Sequence, residues 1–298
     1  MESFFVPYTA TGVLEARRVA VLAPHADDEI FGCGGALASF VAHGIPVHVA
    51  VVSDEDSATA GEALRVRHAE SDAAARVMGY APPDYWGLRD RWIHEAPDLT
   101  ARIARWVAEL GADLLLAPSC WEMHPDHRAV AEAAIRAVVA SGGQTRLAMY
   151  EVGVPLFPNT LLDITPYLAL KARAMACFTS QLARQRYDVH IGSLNQYRTY
   201  TLPETVKAAE AYLMLTADEL GALGLDQWPA QATMALRRAE QSLAQCQNGP
   251  LQESLKTLTA QRDQLQEQLD EMRQSTSWRV SAPLRCLGRL VRRWRNMG

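Results

Sequence analysis

The sequence contains no apolar run close to the roughly 18 residues that a transmembrane helix needs, so no membrane span is predicted. The amino terminus lacks the basic segment that opens a secretory signal peptide, and we expect none. The five cysteines are an odd number and form no Cys-x-x-Cys pair. This pattern disfavours a disulfide framework or a zinc knuckle and is typical of reduced thiols. We therefore expect a cytoplasmic protein.

Basic residues are also scarce outside the carboxyl-terminal segment. The 298 residues carry a net charge of −5, but residues 276–298 contain six arginines and no acidic residue, which leaves −11 on the rest. An acidic body of this kind disfavours nucleic-acid binding. The hydrophobic fraction of 49% and the length are typical of one large globular domain with an appendage.

Strand-like and helix-like segments alternate through the first half of the chain. Runs rich in valine and leucine predict buried strands at 18–23, 46–53 and 113–118, each followed by a helical segment. Repeated units of this kind predict a Rossmann-like α/β fold, with a mostly parallel sheet and helices on both faces. In the second half, 166–185 and 203–215 are both predicted to be helical.

The carboxyl-terminal part of the chain is predicted to be a helical and coiled-coil extension. Apolar residues recur there every seven positions, at Leu251, Leu258, Leu265 and Met272. This spacing favours a coiled coil that joins two copies into a homo-oligomer, although one long helix packed on the domain would show a similar pattern. The predicted parts are a main domain (1–215), a helical extension (216–249), a coiled coil (250–275) and a basic tail (276–298).

Two segments rich in histidine and carboxylates follow predicted strands. Pro24-His25-Ala26-Asp27-Asp28-Glu29 follows the first strand, and His124-Pro125-Asp126-His127 follows the strand at 113–118. Each alone would be typical of a helix start or a capped turn. Open α/β sheets bind ligands at the carboxyl ends of their strands, so we expect the two segments to meet there.

Together these segments supply the ligands of a catalytic zinc site. Such a site uses three protein ligands, commonly two histidines and a carboxylate, and leaves a fourth position open to water. His25, Asp28 and His127 meet that count and are the predicted ligands of a Zn²⁺ cofactor.

The same two segments resemble the paired motifs of the PIG-L/LmbE-like zinc-dependent N-deacetylases. That family has His-Pro-Asp-Asp-Glu near the amino terminus and His-Pro-Asp-His roughly a hundred residues later. The likeness extends over about residues 16–215. Ala26 stands where the family usually has proline, and the acidic stretch 53–56 replaces a turn that often contains glycine. The resemblance implies hydrolysis of an N-acetyl group on an amino sugar.

The remaining residues of the motifs have roles that follow from their chemistry and agree with the resemblance. Asp27 is the expected general base for the attacking water. A protonated His124 would stabilise the oxyanion together with the metal, and would then protonate the leaving amine. Asp126 would orient an imidazole from behind. Glu29 is expected at the helix start and not as a ligand.

Two further residues are candidates for substrate binding. Arg67 would contact a sugar hydroxyl or a phosphate, or it would instead pair with Glu70 in a salt bridge. Trp121 would stack on a sugar ring, or it would simply pack in its loop.

The basic tail resembles the short SWRxTxPLR-type tails of bacterial polysaccharide-cluster glycosyltransferases and methyltransferases, through Ser277-Trp278-Arg279 and Pro283-Leu284-Arg285. The resemblance implies a role in surface polysaccharide or lipopolysaccharide assembly. One helical face of the tail is apolar, which suits the inner face of an anionic membrane. Docking on a glycosyltransferase partner and a solvated basic end are the alternatives.

Two other functions stay open at this point. One is a zinc amidase that acts on a small thiol-sugar conjugate. The other is a non-catalytic scaffold that keeps the fold and recruits glycosyltransferases through its coiled coil. Metal content and amine release from N-acetylglucosamine derivatives would separate both from a deacetylase.

Overall fold

The computed structural model describes residues 6–54, 61–222, 224, 256–264 and 266–267. The chain divides into two units, 1–231 and 232–298. In the second unit, 256–264 and 266–267 are helical and exposed, whereas most of the predicted coiled coil and the whole basic tail lie outside the described residues. Coiled-coil pairing and the predicted domain boundaries therefore stay predictions. None of the described helices has the length and apolar character needed to span a membrane.

Seven strands of the described chain form one sheet. They are β1 (Val19–Ala23), β2 (Val47–Asp54), β3 (Asp84–Arg89), β4 (Leu114–Pro118), β5 (Arg146–Tyr150), β6 (Thr160–Asp163) and β7 (Ala209–Leu215). Their order in the sheet is β3-β2-β1-β4-β5-β7-β6. The first five in this order are parallel, and β7 runs antiparallel to both β5 and β6.

Eight helices cover the two faces of this sheet in the described first unit. They are α1 (Asp28–Ala42), α2 (Gly61–Met78), α3 (Leu99–Leu110), α4 (Pro125–Ala140), α5 (Leu168–Met175), α6 (Thr179–Leu182), α7 (Tyr187–Tyr197) and α8 (Ala217–Ala222). The predicted α/β class with helices on both faces is thus confirmed. Helix α8 lies beyond residue 215, yet its Leu220 is fully buried in the core of this unit.

The alternation of side chains along each strand explains the two hydrophobic layers. Ala20 and Leu22 of β1 face the layer that contains α3, α4 and α8. Val19 and Val21 face the opposite layer, which contains α1, α2, α5 and α7. Because both faces are covered, the central strands are apolar throughout, as parallel sheets require.

The strand order reverses beside β1. Its neighbours are β2 on one side and β4 on the other, both parallel to it. The loops that leave β1 and β4 therefore start side by side at the carboxyl edge of the sheet, and this is the position where open α/β sheets bind ligands.

The sequence-based prediction of a helix over 203–215 was wrong, because Ala209–Leu215 forms strand β7. Alanine, glutamate and leucine favour helices in isolation. Pairing with β5 and β6 overrides that preference, since it places Tyr212 and Ala211 in the two cores. The predicted helix over 166–185 is also interrupted, because α5 ends at Met175 and α6 begins at Thr179.

Helix α1 packs unusually close to its neighbours. A Cβ atom on Gly32 would lie 2.3 Å from the ring of Tyr150, so only glycine fits at this position. The next residue, Cys33, departs from helical geometry with φ −136°, which kinks α1 after its first turn. The first turn of α1 is thus a separate short piece, and it carries Asp28.

A buried carboxylate holds the second part of α1 beyond this kink. Glu210 of β7 accepts hydrogen bonds from the backbone N–H groups of Gly35 (2.6 Å) and Ala36 (2.9 Å). Lys171 balances its charge, with Nζ 2.7 Å from Oε1. Both side chains are almost fully buried, and a buried ion pair is maintained only when its hydrogen bonds are satisfied in this way.

Candidate metal and catalytic site

The two motifs predicted from the sequence meet at the carboxyl edge of the sheet. The imidazole centroids of His25 and His124 are 4.7 Å apart, and those of His25 and His127 are 5.3 Å apart. His124 and His127 are separated by 5.4 Å. Three imidazoles, one from the β1–α1 loop and two from the start of α4, therefore surround one small volume.

The β1–α1 loop reaches this volume through a strained residue. Asp27 has φ 139° and ψ −30°, a conformation that residues other than glycine rarely adopt. Its backbone N–H donates to Oε2 of Glu29 at 3.0 Å, and Ser71 Oγ donates to Oε1 of the same side chain at 2.5 Å. Glu29 thus lies behind the loop as a buried support at the helix start.

The β4–α4 loop has ordinary backbone geometry. His124 is extended, with φ −74° and ψ 132°, and Pro125 occupies the first turn of α4, where proline is favoured. The imidazole Nδ1 of His124 accepts a hydrogen bond from the N–H of Asp126 at 3.3 Å, so the side chain caps its own helix.

This cap also determines the proton of His124. Because Nδ1 acts as an acceptor, the proton of the neutral ring lies on Nε2. Burial lowers the pKa of His124, and the neighbouring His25 and His127 lower it further. The geometry therefore favours a neutral imidazole with an Nε2–H donor, in place of the protonated ring assumed from the sequence.

The predicted ligands His25, Asp28 and His127 lie together in the structure. His25 Nδ1 is 3.3 Å and His127 Nε2 is 3.1 Å from the same oxygen, Oδ2 of Asp28. Burial disfavours the imidazolium of His127, but the Asp28 carboxylate outweighs it and raises the pKa of His127 to about 9. Burial likewise disfavours the charged form of Asp28, which raises the pKa of its carboxyl group. The two imidazoles outweigh this effect and hold the pKa of Asp28 far below its usual range.

Two groups of described residues bring their ligand atoms within 4.8 Å of one another. They are His25/His124/His127 and His25/Asp90/His124/Asp126. Asp28 belongs to neither group, although its Oδ2 touches two imidazoles. In the second group, His25 Nε2 lies 3.0 Å from Asp90 Oδ1 and 3.5 Å from Asp126 Oδ2. His25 is thus held by carboxylates on both of its nitrogens.

These residues fit a zinc ion. Ligands of a tetrahedral ion at about 2.1 Å lie about 3.4 Å from one another, which is close to the spacings of His25 and His127 from Asp28. The donor set of imidazoles and a carboxylate is also the one that catalytic zinc prefers. Among the described residues, Nδ1 of His127 is buried and has no partner within normal hydrogen-bond distance.

Asp27 stands beside this cluster. Burial and the adjacent Asp28 carboxylate raise the pKa of Asp27 to about 8, although Arg67 acts in the opposite direction. The guanidinium of Arg67 lies 3.9 Å from Oδ2 of Asp27 and donates to the carbonyl of Ala26 at 3.1 Å. Arg67 therefore supports the loop that carries the predicted base.

Glu70, which the sequence suggested as a salt-bridge partner of Arg67, accepts hydrogen bonds from Thr179 Oγ1 at 2.8 Å and from the N–H and Oγ of Ser180 at 2.8 and 2.6 Å. Trp121, the other substrate-binding candidate, lies in the β4–α4 loop and is 37% exposed. Its backbone N–H donates a hydrogen bond to Ser119 Oγ. Substrate contacts by Arg67 and Trp121 stay predictions.

Sequence analysis missed two residues of this site. Asp90 directly follows β3, so its place at the carboxyl edge of the sheet was available as a signal. Glu122 precedes the second motif by two residues. Its Oε2 atom lies 3.7 Å from Nδ1 of His127. Its spacing resembles no common ligand pattern, and only the fold brings it behind the imidazole.

The arrangement is a group of histidines and carboxylates that could hold a metal ion at the carboxyl edge of a mostly parallel sheet. Residues 20–138 match the model of the PIG-L family, described as GlcNAc-PI de-N-acetylase. The resemblance predicted from the two motifs is thereby confirmed over this PIG-L domain, which contains both motifs.

Individual relatives share 26% or less of their residues with this chain. The Probable N-acetyl-alpha-D-glucosaminyl L-malate deacetylase 2 of Bacillus anthracis is 26% identical over 190 residues, which cover 56% of this chain and 82% of that protein. The N,N'-diacetylchitobiose deacetylase of Pyrococcus horikoshii superposes with a TM-score of 0.59 at 21% identity, over 68% of this chain and 85% of that one.

The same fold also occurs in an enzyme with another reaction. GalB, the 4-carboxy-2-hydroxymuconate hydratase of Pseudomonas putida KT2440, superposes with a TM-score of 0.55 at 20% identity, over 66% of this chain and 95% of that one. At these identities the solved structures support the fold alone. The reaction has to be argued from the residues of the site.

Proposed function

We propose that this protein is a zinc-dependent N-deacetylase that hydrolyses the N-acetyl group of an amino sugar and releases acetate and a free amine. The observation that carries the proposal is the convergence of His25, Asp28 and His127 beside Asp27 and His124 at the carboxyl ends of β1 and β4. A bound zinc ion would supply Lewis acidity toward the acetyl carbonyl and an acidified water.

Asp27 is the proposed general base. It adjoins the predicted ligand Asp28 in the chain, and its side chain is buried beside the cluster. Its carboxylate takes a proton from the attacking water, whose oxygen then bonds to the carbonyl carbon. When the C–N bond breaks, the proton held by Asp27 passes to the leaving nitrogen, which departs as the amine; this replaces the role of proton donor that the sequence suggested for His124.

His124 is the proposed electrostatic partner of the carbonyl oxygen. With Nδ1 bonded to the N–H of Asp126, its Nε2–H is available as a donor in the neutral ring. Such a donor stabilises the oxygen most when negative charge develops on it. Asp126 and Asp90 stand behind His25 and fix the orientation of that imidazole.

The amino-sugar class of substrate is supported by the relatives and not by a bound ligand. The named relatives from Bacillus anthracis and Pyrococcus horikoshii act, by their names, on an N-acetylglucosaminyl malate and on diacetylchitobiose. Exposed Trp121 and Trp92 lie in loops at the same edge of the sheet, where aromatic rings would serve as platforms for a sugar.

A finer part of the proposal concerns the biological setting. The resemblance of residues 277–285 to tails of polysaccharide-cluster enzymes favours a nucleotide-linked, lipid-linked or glycan-linked N-acetylhexosamine in bacterial surface polysaccharide assembly. The tail would bring the enzyme to an anionic membrane surface or to a glycosyltransferase partner. Co-sedimentation of the full chain and of a chain ending at Gln274 with anionic vesicles, at low and high salt, tests the membrane alternative.

The central experiment combines metal analysis with a product screen. Purified protein should contain one zinc per chain and release amine from UDP-linked or lipid-linked N-acetylhexosamines. Asp28→Ala should lose both zinc and activity, whereas Asp27→Asn should keep zinc and lose activity. Full turnover by the zinc-free protein would overturn the proposal, and zinc binding with release of amine only from a thiol-sugar conjugate would favour the amidase alternative. Zinc binding without any hydrolysis would favour the scaffold.

A further inference from the structure

Glu122 is a buried carboxylate for which the proposed reaction has no direct use. It lies in the β4–α4 loop and is 1% exposed. One of its oxygens, Oε1, accepts hydrogen bonds from three consecutive backbone N–H groups, those of Val152 (2.8 Å), Gly153 (3.1 Å) and Val154 (3.3 Å). A carboxylate with three backbone donors on one oxygen is held in a fixed position.

The second oxygen of Glu122 faces His127, one of the predicted metal ligands. Oε2 accepts from Gly153 N at 3.1 Å and lies 3.7 Å from Nδ1 of His127. That nitrogen is buried and has no hydrogen-bond partner within the distance of a normal bond. On the other side of the ring, Nε2 faces Oδ2 of Asp28 at 3.1 Å.

We infer that Glu122 is a positioning residue that keeps the His127 proton on Nδ1 and so leaves the Nε2 lone pair for the metal. The inference rests on the proposed zinc site. A carboxylate can only accept, so a short movement that closes the 3.7 Å gap creates a hydrogen bond from Nδ1–H and no other kind. Metal-bound histidines typically donate their second N–H to such a partner.

The same carboxylate connects the metal ligand to the segment after β5. This segment is held a second time by Glu151, which accepts from Arg198 Nε at 3.0 Å and from Leu156 N at 3.0 Å. Of the two carboxylates that hold this segment, Glu122 and Glu151, it is Glu122 that lies beside His127. A purely structural role would require only the hydrogen bonds from the three backbone N–H groups, whereas the positioning role requires an acceptor toward Nδ1.

Glu122→Gln separates these two roles. The amide oxygen can still accept from the N–H groups of residues 152–154, but the NH₂ group then faces His127. A donor at that place favours a lone pair on Nδ1 and a proton on Nε2, which blocks the ligating nitrogen. We expect the zinc affinity to fall about 10- to 100-fold, while amide hydrogen exchange at Val152–Val154 stays near that of the wild type.

The matched control is Glu70→Gln. Glu70 is also buried and also accepts from a backbone N–H, that of Ser180, but its described contacts are with Thr179 and Ser180 and not with an imidazole. The zinc affinity of the Glu70→Gln variant should equal that of the wild type. Zinc affinity is measured by competition with a chelator, so the readout does not depend on turnover.

A second measurement uses the unchanged full chain. In the zinc-loaded protein, ¹⁵N NMR of His127 should show a protonated Nδ1 and a metal-bound Nε2, and a metal-bound Nδ1 would overturn the inference even if the variants do not fold. Wild-type zinc affinity in folded Glu122→Gln would overturn it as well. If the wild type binds no zinc, the proposed function fails with it; if zinc binding depends on Glu122 but no acetyl group is released, only the proposed reaction fails.

Discussion

The two loops of the site differ in how they place their functional groups. The β1–α1 loop carries the predicted base on a residue with positive φ, Asp27, and puts a second carboxylate, Asp28, directly after it. The β4–α4 loop carries His124 in an extended conformation, followed by a proline that suits the first turn of a helix.

The difference indicates where the protein stores strain. A non-glycine residue in such a conformation costs of order 1–3 kcal/mol and persists only where the surroundings determine it. At Asp27 those surroundings are Glu29, which accepts the Asp27 N–H, and the Arg67 guanidinium. The strained loop holds the proposed general base, whereas the relaxed loop holds the proposed hydrogen-bond donor to the carbonyl oxygen.

The largest expected effect concerns the strained loop. Asp27→Asn keeps the size of the side chain and removes the proton acceptor, so kcat should fall roughly 10²- to 10⁴-fold while zinc stays bound. Turnover assays and metal analysis of the same preparation test this. Turnover near that of the wild type would transfer the role of base to another carboxylate, with Glu29 the next candidate.

A smaller loss is expected from the relaxed loop. His124→Ala removes the Nε2–H donor, and kcat should fall about 10²- to 10³-fold with zinc retained. His124→Gln offers an amide donor and should recover part of that loss. Equal activity of the alanine variant and the wild type would show that the carbonyl oxygen has another donor.

Stability should respond with opposite signs in the two loops. Asp27→Gly removes the strain and one of two adjacent carboxylates, so the free energy of unfolding should rise by about 1 kcal/mol. Pro125→Gly increases the conformational freedom of the unfolded chain at a position whose native conformation suits proline. The free energy of unfolding should therefore fall by about 1 kcal/mol. Urea unfolding of the zinc-free proteins measures both values, and a change of the same sign in both would contradict the comparison.

The smallest effect is expected at the rim of the relaxed loop. If Trp121 serves as a sugar platform, Trp121→Ala should raise KM about three- to tenfold with little change in kcat, and Trp121→Phe should lie between the two. Steady-state kinetics on the best substrate of the product screen measures this split. An unchanged KM would assign Trp121 to packing in its loop.

Much of the fold could be predicted from local patterns. The segments at 18–23, 46–53 and 113–118 are rich in valine, leucine and alanine, and each of them contains a strand of the parallel part of the sheet. The second half was harder, because β7 consists largely of helix-favouring residues. Its partners β5 and β6 lie about 50 or more positions away in the chain, so no local window contains the reason for its conformation.

The site divides in the same way. The two motifs place three imidazoles and Asp28 correctly at one edge of the sheet, since parallel strands bring their carboxyl ends together. Neither the positive φ of Asp27 nor the hydrogen bond from the N–H of Asp126 to Nδ1 of His124 follows from residue types. Glu122 gains its position from the backbone of 152–154, and that contact exists only after β4 and β5 have paired.

The hold of Glu210 on α1 has a consequence for the order in which the protein matures. Both motifs lie within residues 20–138, the part that matches the family model, but the carboxylate that secures α1 beyond its kink comes 72 positions later. A nascent chain that has already emerged with both motifs therefore still lacks this anchor. Competence for metal would arrive late in translation, once β7 has inserted between β5 and β6.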